Sequence, residues 1–188
     1  NMAGNAGDDF LRGGNEDDAL FGGTGNDDMD GEAGQDTLDG GLGDDLIRGG
    51  SDDDALSGNR GADTLVGNSG DDVIEGGADG DRIIGGTGAD TMTGGSGADV
   101  FVFSNANQSP HAGPRDTITD FQSGTDVIDL SGFAGTLSFV TSYTGAGNEV
   151  RYNETIGRLY IDIDGTGGSD FSVDLGAGTI LAQSDLLL

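Results

Sequence analysis

From Gly4 to Val102 the chain repeats one nine-residue pattern of polar and apolar positions without insertion. A large apolar residue stands eighth in all eleven units: Leu11, Leu20, Met29, Leu38, Ile47, Leu56, Leu65, Ile74, Ile83, Met92 and Phe101. Glycine stands first, at Gly4, Gly13, Gly22, Gly31, Gly40, Gly49, Gly58, Gly67, Gly76, Gly85 and Gly94, and aspartate stands sixth. The last three residues of each unit predict a short strand. Neighbouring strand residues face opposite ways, so the eighth points inward and the seventh and ninth point out. The six residues before them predict a turn, in which glycine allows positive φ and a tight bend. Two units make one coil of eighteen residues, with odd units stacked on one side and even units on the other. Eleven units then make about five and a half coils, a rod of roughly 26 Å at ~4.8 Å per layer.

Four units depart from glycine at the second place (Asn5, Glu32, Asn59, Asn68) and three at the fourth (Glu16, Asp52, Asp79). Asn tolerates a left-handed backbone. For the carboxylates at the fourth place, distortion of the turn and extra help to it both remain open.

After Val102 the period stops. Ser104 to Arg115 is polar, holds Pro110 and Pro114, and predicts a loop. Short apolar runs follow at 116–121, 126–130, 137–140, 149–152, 158–163 and 171–175, and they predict antiparallel strands joined by glycine turns. Six of the eight Phe and all three Tyr lie from Phe101 onward, so a conventional aromatic core is expected at this end. A solenoid exposes its last strand and needs a cap, which this half is suited to be.

Charge changes the picture. Thirty-five acidic residues against seven basic ones give −28, and every basic residue apart from the lone His111 is Arg. Such a surface repels nucleic acid and anionic membranes. High net charge with a small core marks a chain that does not fold unaided. The 39 glycines are periodic and Pro is only two, which excludes collagen and flexible linker. Cysteine is absent, which removes disulfides, thiolate metal sites and thiol nucleophiles. No apolar run approaches the ~18 residues of a membrane span. No cleavable signal peptide opens the chain, and Asn1 falls mid-pattern, so the sequence reads as part of something longer.

The composition asks for a cation, and the sixth position offers one carboxylate per turn. Calcium takes 6–8 oxygens, including carboxylates and backbone carbonyls. One turn supplies too few; two stacked turns supply enough. A site between layers would pair Asp9 with Asp27, or Asp18 with Asp36. The gaps number up to about nine, and nine divalent ions would bring −28 to about −10.

These units resemble the RTX nonapeptide family, whose consensus is Gly-Gly-x-Gly-x-Asp-x-apolar-x. The resemblance implies an all-β fold: a right-handed parallel β-roll (a β-solenoid) over residues 4–102. It makes the sixth-position aspartates the side-chain calcium ligands: Asp9, Asp18, Asp27, Asp36, Asp45, Asp54, Asp63, Asp72, Asp81, Asp90 and Asp99. The stretch Asp116 to Phe133, with its Asp120-Phe and Asp126-Val-Ile-Asp129-Leu-Ser elements, resembles the C-terminal module of serralysin-type metalloproteases. Similar tails follow RTX repeats in some lipases and alginate epimerases. The ending Ala182-Gln-Ser-Asp185-Leu-Leu-Leu is similar to an uncleaved type I secretion signal. Residues 103–188 are therefore expected to form a C-terminal antiparallel β cap carrying that signal. The resemblance implies a secreted, extracellular protein of a Gram-negative bacterium. A type I ABC transporter would export it C-terminus first, and it would fold outside on calcium.

His111 is the only histidine, so the zinc site of a serralysin is absent and the chain is expected not to be an enzyme. Three readings stay in play: a calcium-binding folding module, the tail of a secreted protease, lipase or epimerase, and a segment of an adhesin or surface layer. Arg12, Arg48 and Arg82 lie outward in odd units, where an anionic polysaccharide is one candidate partner. Pairing with carboxylates such as Asp30 is the favoured alternative. Asp162 to Asp170 reads as a hairpin turn, with a calcium loop as the alternative, and Asp116, Asp120, Asp126 and Asp129 are a candidate for one further ion.

Overall fold

A computed structural model describes residues 1–105, 107–108, 115–133, 135–140, 142, 144, 146–166 and 169–188. His111, Pro110 and Pro114 lie outside the described residues. Among the described residues the fold is nearly all β, with one short 3-10 turn at Gln183–Asp185. Strands are numbered in chain order.

The repeats lay down two parallel sheets, one on each side of the core. One sheet holds β1 (Met2–Ala6), β3 (Ala19–Thr24), β5 (Thr37–Leu42), β7 (Ala55–Arg60), β9 (Val73–Ala78), β11 (Thr91–Ser96) and β13 (Thr117–Ile118). The other holds β2 (Phe10–Gly14), β4 (Asp28–Ala33), β6 (Leu46–Ser51), β8 (Thr64–Ser69), β10 (Arg82–Thr87), β12 (Val100–Val102), β14 (Val127–Asp129) and β19 (Leu186–Leu187). The register is one residue per layer, eighteen residues apart within the repeats. Leu20 therefore stacks on Leu38 and Met29 on Ile47. All eleven eighth-position side chains are buried, and they form a single core with the C-terminal half.

Two expectations need correction. The repeat strands are longer than three residues: most span six, the last three of one unit and the first three of the next. The ladder continues because the turn residues also stack on their equivalents, as Gly23 does on Gly41. The runs at 116–121 and 126–130 are not antiparallel. Thr117 and Ile118 continue the first parallel ladder beyond β11, and Val127 to Asp129 continue the second beyond β12. Their apolar residues fill the inward column, Ile118 beside Met92 and Ile128 beside Phe101.

Antiparallel pairing begins further on. β16 (Glu149–Asn153), β17 (Arg158–Asp162) and β18 (Phe171–Asp174) form a meander, and β18 joins β13 in parallel. β15 (Ser138–Phe139) extends the outer edge by pairing parallel to β16, so the run at 137–140 is not antiparallel either. Phe171 sits between Phe103 and Phe133, with ring centroids 5.1 and 5.3 Å away, so aromatic packing closes this end of the roll.

Cutting Ile74, fully buried in mid-rod, to Ala should destabilise the folded module by about 2–5 kcal/mol, measurable by denaturant unfolding.

Candidate metal centre in the turns

From Asp27 to Asp99 each turn repeats one arrangement of the sixth-position aspartate. Its Oδ1 accepts the backbone N–H of the equivalent aspartate one coil upstream. The N–H of Asp27 donates to Asp45 at 2.8 Å, that of Asp45 to Asp63 at 2.7 Å, and that of Asp63 to Asp81 at 2.9 Å. On the other side Asp36 donates to Asp54 at 2.8 Å and Asp54 to Asp72 at 2.9 Å. The carboxylates are thus held on a ladder, each fixed by the layer above it.

The other oxygen is different. Oδ2 of Asp9, Asp27, Asp36, Asp45, Asp54, Asp63, Asp72, Asp81, Asp90 and Asp99 is buried and has no hydrogen-bond partner among the described residues. Asp18, near the open end of the rod, is the one repeat aspartate outside this set. A buried polar atom without a partner costs on the order of 1–3 kcal/mol, more when charged.

First-position glycines make room for this oxygen. A Cβ on Gly67 would lie 2.2 Å from Asp72 Oδ2 and 2.5 Å from the Gly85 carbonyl. The backbone there is not left-handed; the invariance comes from close approach. Positive φ is needed at the second and fourth places instead. Asn5, Glu32, Asn59 and Asn68 adopt it at φ of 75, 74, 73 and 76°, and Asp52 and Asp79 both at 78°. Glu16 is not among the positive-φ residues, so its turn departs from the others.

A second ladder runs the opposite way through the fifth position. Asp8 Oδ1 accepts the N–H of Asn26, Asn26 Oδ1 that of Asp44, and Asp44 Oδ1 that of Ala62, at 2.8 to 3.0 Å. Asp17, Asp53 and Asp71 do the same on the other side. Sequence reading missed this, because Asp, Asn, Gln, Ala and Gly all occupy the position. The signal was the excess of Asp and Asn there in the N-terminal units.

The sixth-position ladder also outlasts the repeats. Asp116 accepts the N–H of Asp90 at 2.9 Å, and Asp126 accepts that of Asp99 at 3.2 Å. Asp126 spends its second oxygen on the N–H of Gln122 at 2.7 Å. Asp120 gives both oxygens to the N–H groups of Gly94 and Gly95, at 2.9 and 2.8 Å. Asp129 accepts from Ser131 and faces Arg82 at 3.7 Å. The four carboxylates of this stretch therefore have separate backbone tasks.

Asp162, Asp164 and Asp170 bring carboxylate oxygens within 4.8 Å of one another in the connection from β17 to β18, which is an antiparallel pair. Asp170 accepts the N–H groups of Ile163 and Asp164, and Asp162 that of Gly165. The outward arginines are paired. Arg12 meets Glu32 at 3.0 Å and Asp30 at 3.9 Å, and Arg48 meets Asp28 at 2.7 Å.

Burial pushes the carboxyls of Asp54, Asp63 and Asp90 up to about 7, and those of Asp72 and Asp81 up to about 6. The upstream N–H opposes the rise, and neighbouring carboxylates add to it. Asp36, Asp45 and Asp99 are raised for the same first cause.

The donors and their burial point to a hard cation held by oxygen. A profile described as Peptidase M10 serralysin C terminal matches residues 13–188. The chain belongs to that family. The family is the non-catalytic C-terminal part of serralysins, and this module is not itself an enzyme. Serralysin A of Dickeya chrysanthemi is 34% identical over 94 residues, covering 47% of this chain and 20% of that protein. Serralysin G of the same organism is 38% identical over 96 residues, covering 47% and 19%. Metallopeptidase AprA of Pseudomonas marginalis is 44% identical over 80 residues, covering 39% and 16%. The matched stretch thus spans a fifth or less of each relative's length. Among solved structures, the AlgE6R2 subunit of the Azotobacter vinelandii mannuronan C5-epimerase aligns with a TM-score of 0.44 and 29% identity, over 74% of this chain and 90% of that one. Among the described residues of the serralysin-type module, no helix is long and apolar enough to cross a membrane.

The raised carboxyl values fix the sign of a pH effect. A group whose folded value lies above its unfolded value adds stability below the unfolded value, and loses it as pH rises through the folded one. The metal-free module should therefore hold more β-structure near pH 4 than near pH 8, the stabilisation falling from about pH 4 upward and being gone above about 7, read by circular dichroism on desalted protein. Gly67→Ala should expel the Asp72 carboxylate from its place and lower the measured metal content.

Proposed function

We propose that this module is the calcium-binding, non-catalytic tail of a secreted serralysin-type enzyme, and that it folds when calcium enters its turns. One observation carries the reading: in ten of the eleven repeats a buried carboxylate oxygen has no donor among the described residues. A proton or a cation can answer each one. At neutral pH and millimolar calcium the cation is the better answer, because oxygens are the ligands calcium takes. A carbonyl of the next coil closes on the same spot, as Gly85 does beside Asp72.

The ligands are the eleven sixth-position aspartates, Asp9 through Asp99 at nine-residue spacing, with Asp116 extending the ladder by one rung beyond Asp90. Ions between layers neutralise part of the −28 charge and bind the folded state alone, so they stabilise it by mass action. The residues from Gly4 to Val102 serve as the repeat part of the roll, which Thr117–Ile118 and Val127–Asp129 extend, and the rest of the C-terminal half serves as its cap. Export by a type I transporter through the C-terminus fits a chain that stays unfolded where calcium is scarce. The whole protein is then a secreted protease. A polysaccharide partner on the arginine face has less support, since Arg12 and Arg48 already hold carboxylates.

The purified chain should be coil in chelator at neutral pH and β-rich in millimolar calcium, by circular dichroism. Elemental analysis should count several ions, up to about nine between repeats plus one at Asp116. Asp63→Asn, which touches two adjacent gaps, should lower that count by about one or two. A fully folded, metal-free chain in chelator at pH 8 would sink the reading.

A further inference from the structure

The outward faces of the two parallel sheets handle charge differently. On the face of β4, β6, β10 and β14, outward carboxylates meet the chain's own arginines. Asp28 meets Arg48 at 2.7 Å, Asp30 meets Arg12 at 3.9 Å and Asp129 meets Arg82 at 3.7 Å. On the face of β3, β5, β7, β9 and β11, no seventh or ninth position holds a basic residue. Asp39 there accepts the neutral amide of Asn59 at 2.9 Å, and Glu75 has no partner among the described residues.

These two carboxylates flank a hollow of about 220 Å³. Its shape follows from side-chain size. The register stacks Phe21, Asp39, Ser57 and Glu75 in one outward column, and Thr37, Ala55 and Val73 in the other. The middle strand β7 presents the two small groups, Ala55 and Ser57, between bulkier neighbours on β5 and β9. Phe21 stands at one end, Val73 and Glu75 at the other, and both apolar walls reach solvent: Phe21 is 46% exposed and Val73 57%. Asp39 and Glu75 are two layers apart, roughly 9.6 Å. Arg60 is the one cation on these strands; it aligns with Leu42 and Ala78 at the turn end of the ladder and does not line the hollow.

We propose that this hollow takes an arginine side chain from an extended basic peptide segment of a partner polypeptide. Such a side chain joins an apolar stem to a cationic head. The stem lies over Ala55 and Val73, and the guanidinium reaches a flanking carboxylate, which it matches with two parallel N–H groups, or the face of Phe21. Alternate residues of an extended peptide point the same way, about 6.8 Å apart, so a second arginine two residues on reaches the other carboxylate with its flexible stem. Charge complementarity selects this occupant. A neutral apolar side chain would crowd two carboxylates and leave them unpaired, and a polyanion is repelled by a chain of net charge −28. The proposal goes beyond the calcium reading and needs it only for the chain being folded.

The probe is an acetylated and amidated Gly-Arg-Ala-Arg-Gly peptide, titrated into the isotope-labelled full chain in millimolar calcium and followed by amide chemical shifts. A spectrum that stays collapsed in calcium overturns the calcium reading and this face with it. With a folded chain, the peptide should shift amides of residues 37–39, 55–57 and 73–75 while the turns and the opposite sheet stay still. Glu75→Gln and Asp39→Asn should each raise the Kd about two- to fivefold, as expected for an exposed ion pair. Ala55→Leu, which fills the hollow from an exposed strand position, should abolish the shifts and keep the fold. The same peptide with citrulline in place of arginine should not bind. No shifts at millimolar peptide, shifts centred on the acidic turns, or equal binding by the citrulline peptide or to the Ala55→Leu chain overturns the proposal. So does a glucosamine oligosaccharide that moves the same amides at lower concentration than the peptide, which would assign the face to a cationic sugar instead.

Discussion

One carboxylate geometry governs this molecule. In each turn from Asp27 to Asp99 an aspartate oxygen is held by the N–H of the layer above, and its twin is buried with no donor among the described residues. The first contact fixes where the second oxygen points. The first-position glycine keeps that place open, and the eighteen-residue layer spacing follows from the same bond. The apolar column along the inside has only one large side chain per nine residues. Full burial of such a side chain is worth about 1.5–3 kcal/mol, while ordering each residue's backbone costs about 1–2 kcal/mol. The column cannot hold nine residues in place by itself. The turn must contribute, and an unsatisfied buried charge in it works against folding until something neutralises it.

Most of the roll was legible in the sequence because each of its constraints falls on a fixed place in a nine-residue unit. Burial at the eighth position, layering by odd and even units, and the aspartate ladder all follow from periodicity. The role of the first glycine did not. Sequence suggested positive φ, whereas Gly67 and its equivalents are glycine because a carboxylate and a carbonyl crowd the Cα. Strand length was underestimated for a related reason: close stacking lets the turn's own backbone join the ladder, as Gly23 does with Gly41.

What escaped sequence reading lies where periodicity fails. Asp116 and Asp126 take the next rungs after gaps of 26 and 27 residues from Asp90 and Asp99, a spacing no eighteen-residue rule would find. Once the period is lost, Asp116-Thr-Ile-Thr reads as any alternating strand, and direction cannot be told from alternation. Its inward Ile118 was the only hint that the column continued. The fifth-position ladder escaped because its acceptor varies between Asp and Asn, and gives way to Ala or Gly in several units toward the far end.

The two ladders have opposite polarity, and this bears on how the rod tolerates its charge. The sixth-position carboxylate accepts from the layer upstream, and the fifth-position one from the layer downstream. Sliding one coil against its neighbour by a residue would break both at once, and would also turn the apolar column outward. Register is therefore secured by polar contacts where the hydrophobic core is thinnest. At the far end the task passes to larger groups: Asp120 binds two N–H groups of the last turn, Asp126 fills both its oxygens, and Asp185 accepts from Ser123, Gly124 and Ala182 to seat the final strand. Among these closing carboxylates Asp120, Asp126 and Asp185 have hydrogen-bond donors on both oxygens, in contrast to the aspartates of the repeats. A carboxylate with both oxygens satisfied by N–H and O–H groups stabilises its surroundings without a cation. The polar accounting thus divides the chain into a rod whose aspartates keep one oxygen without a donor among the described residues and an end that supplies its own donors.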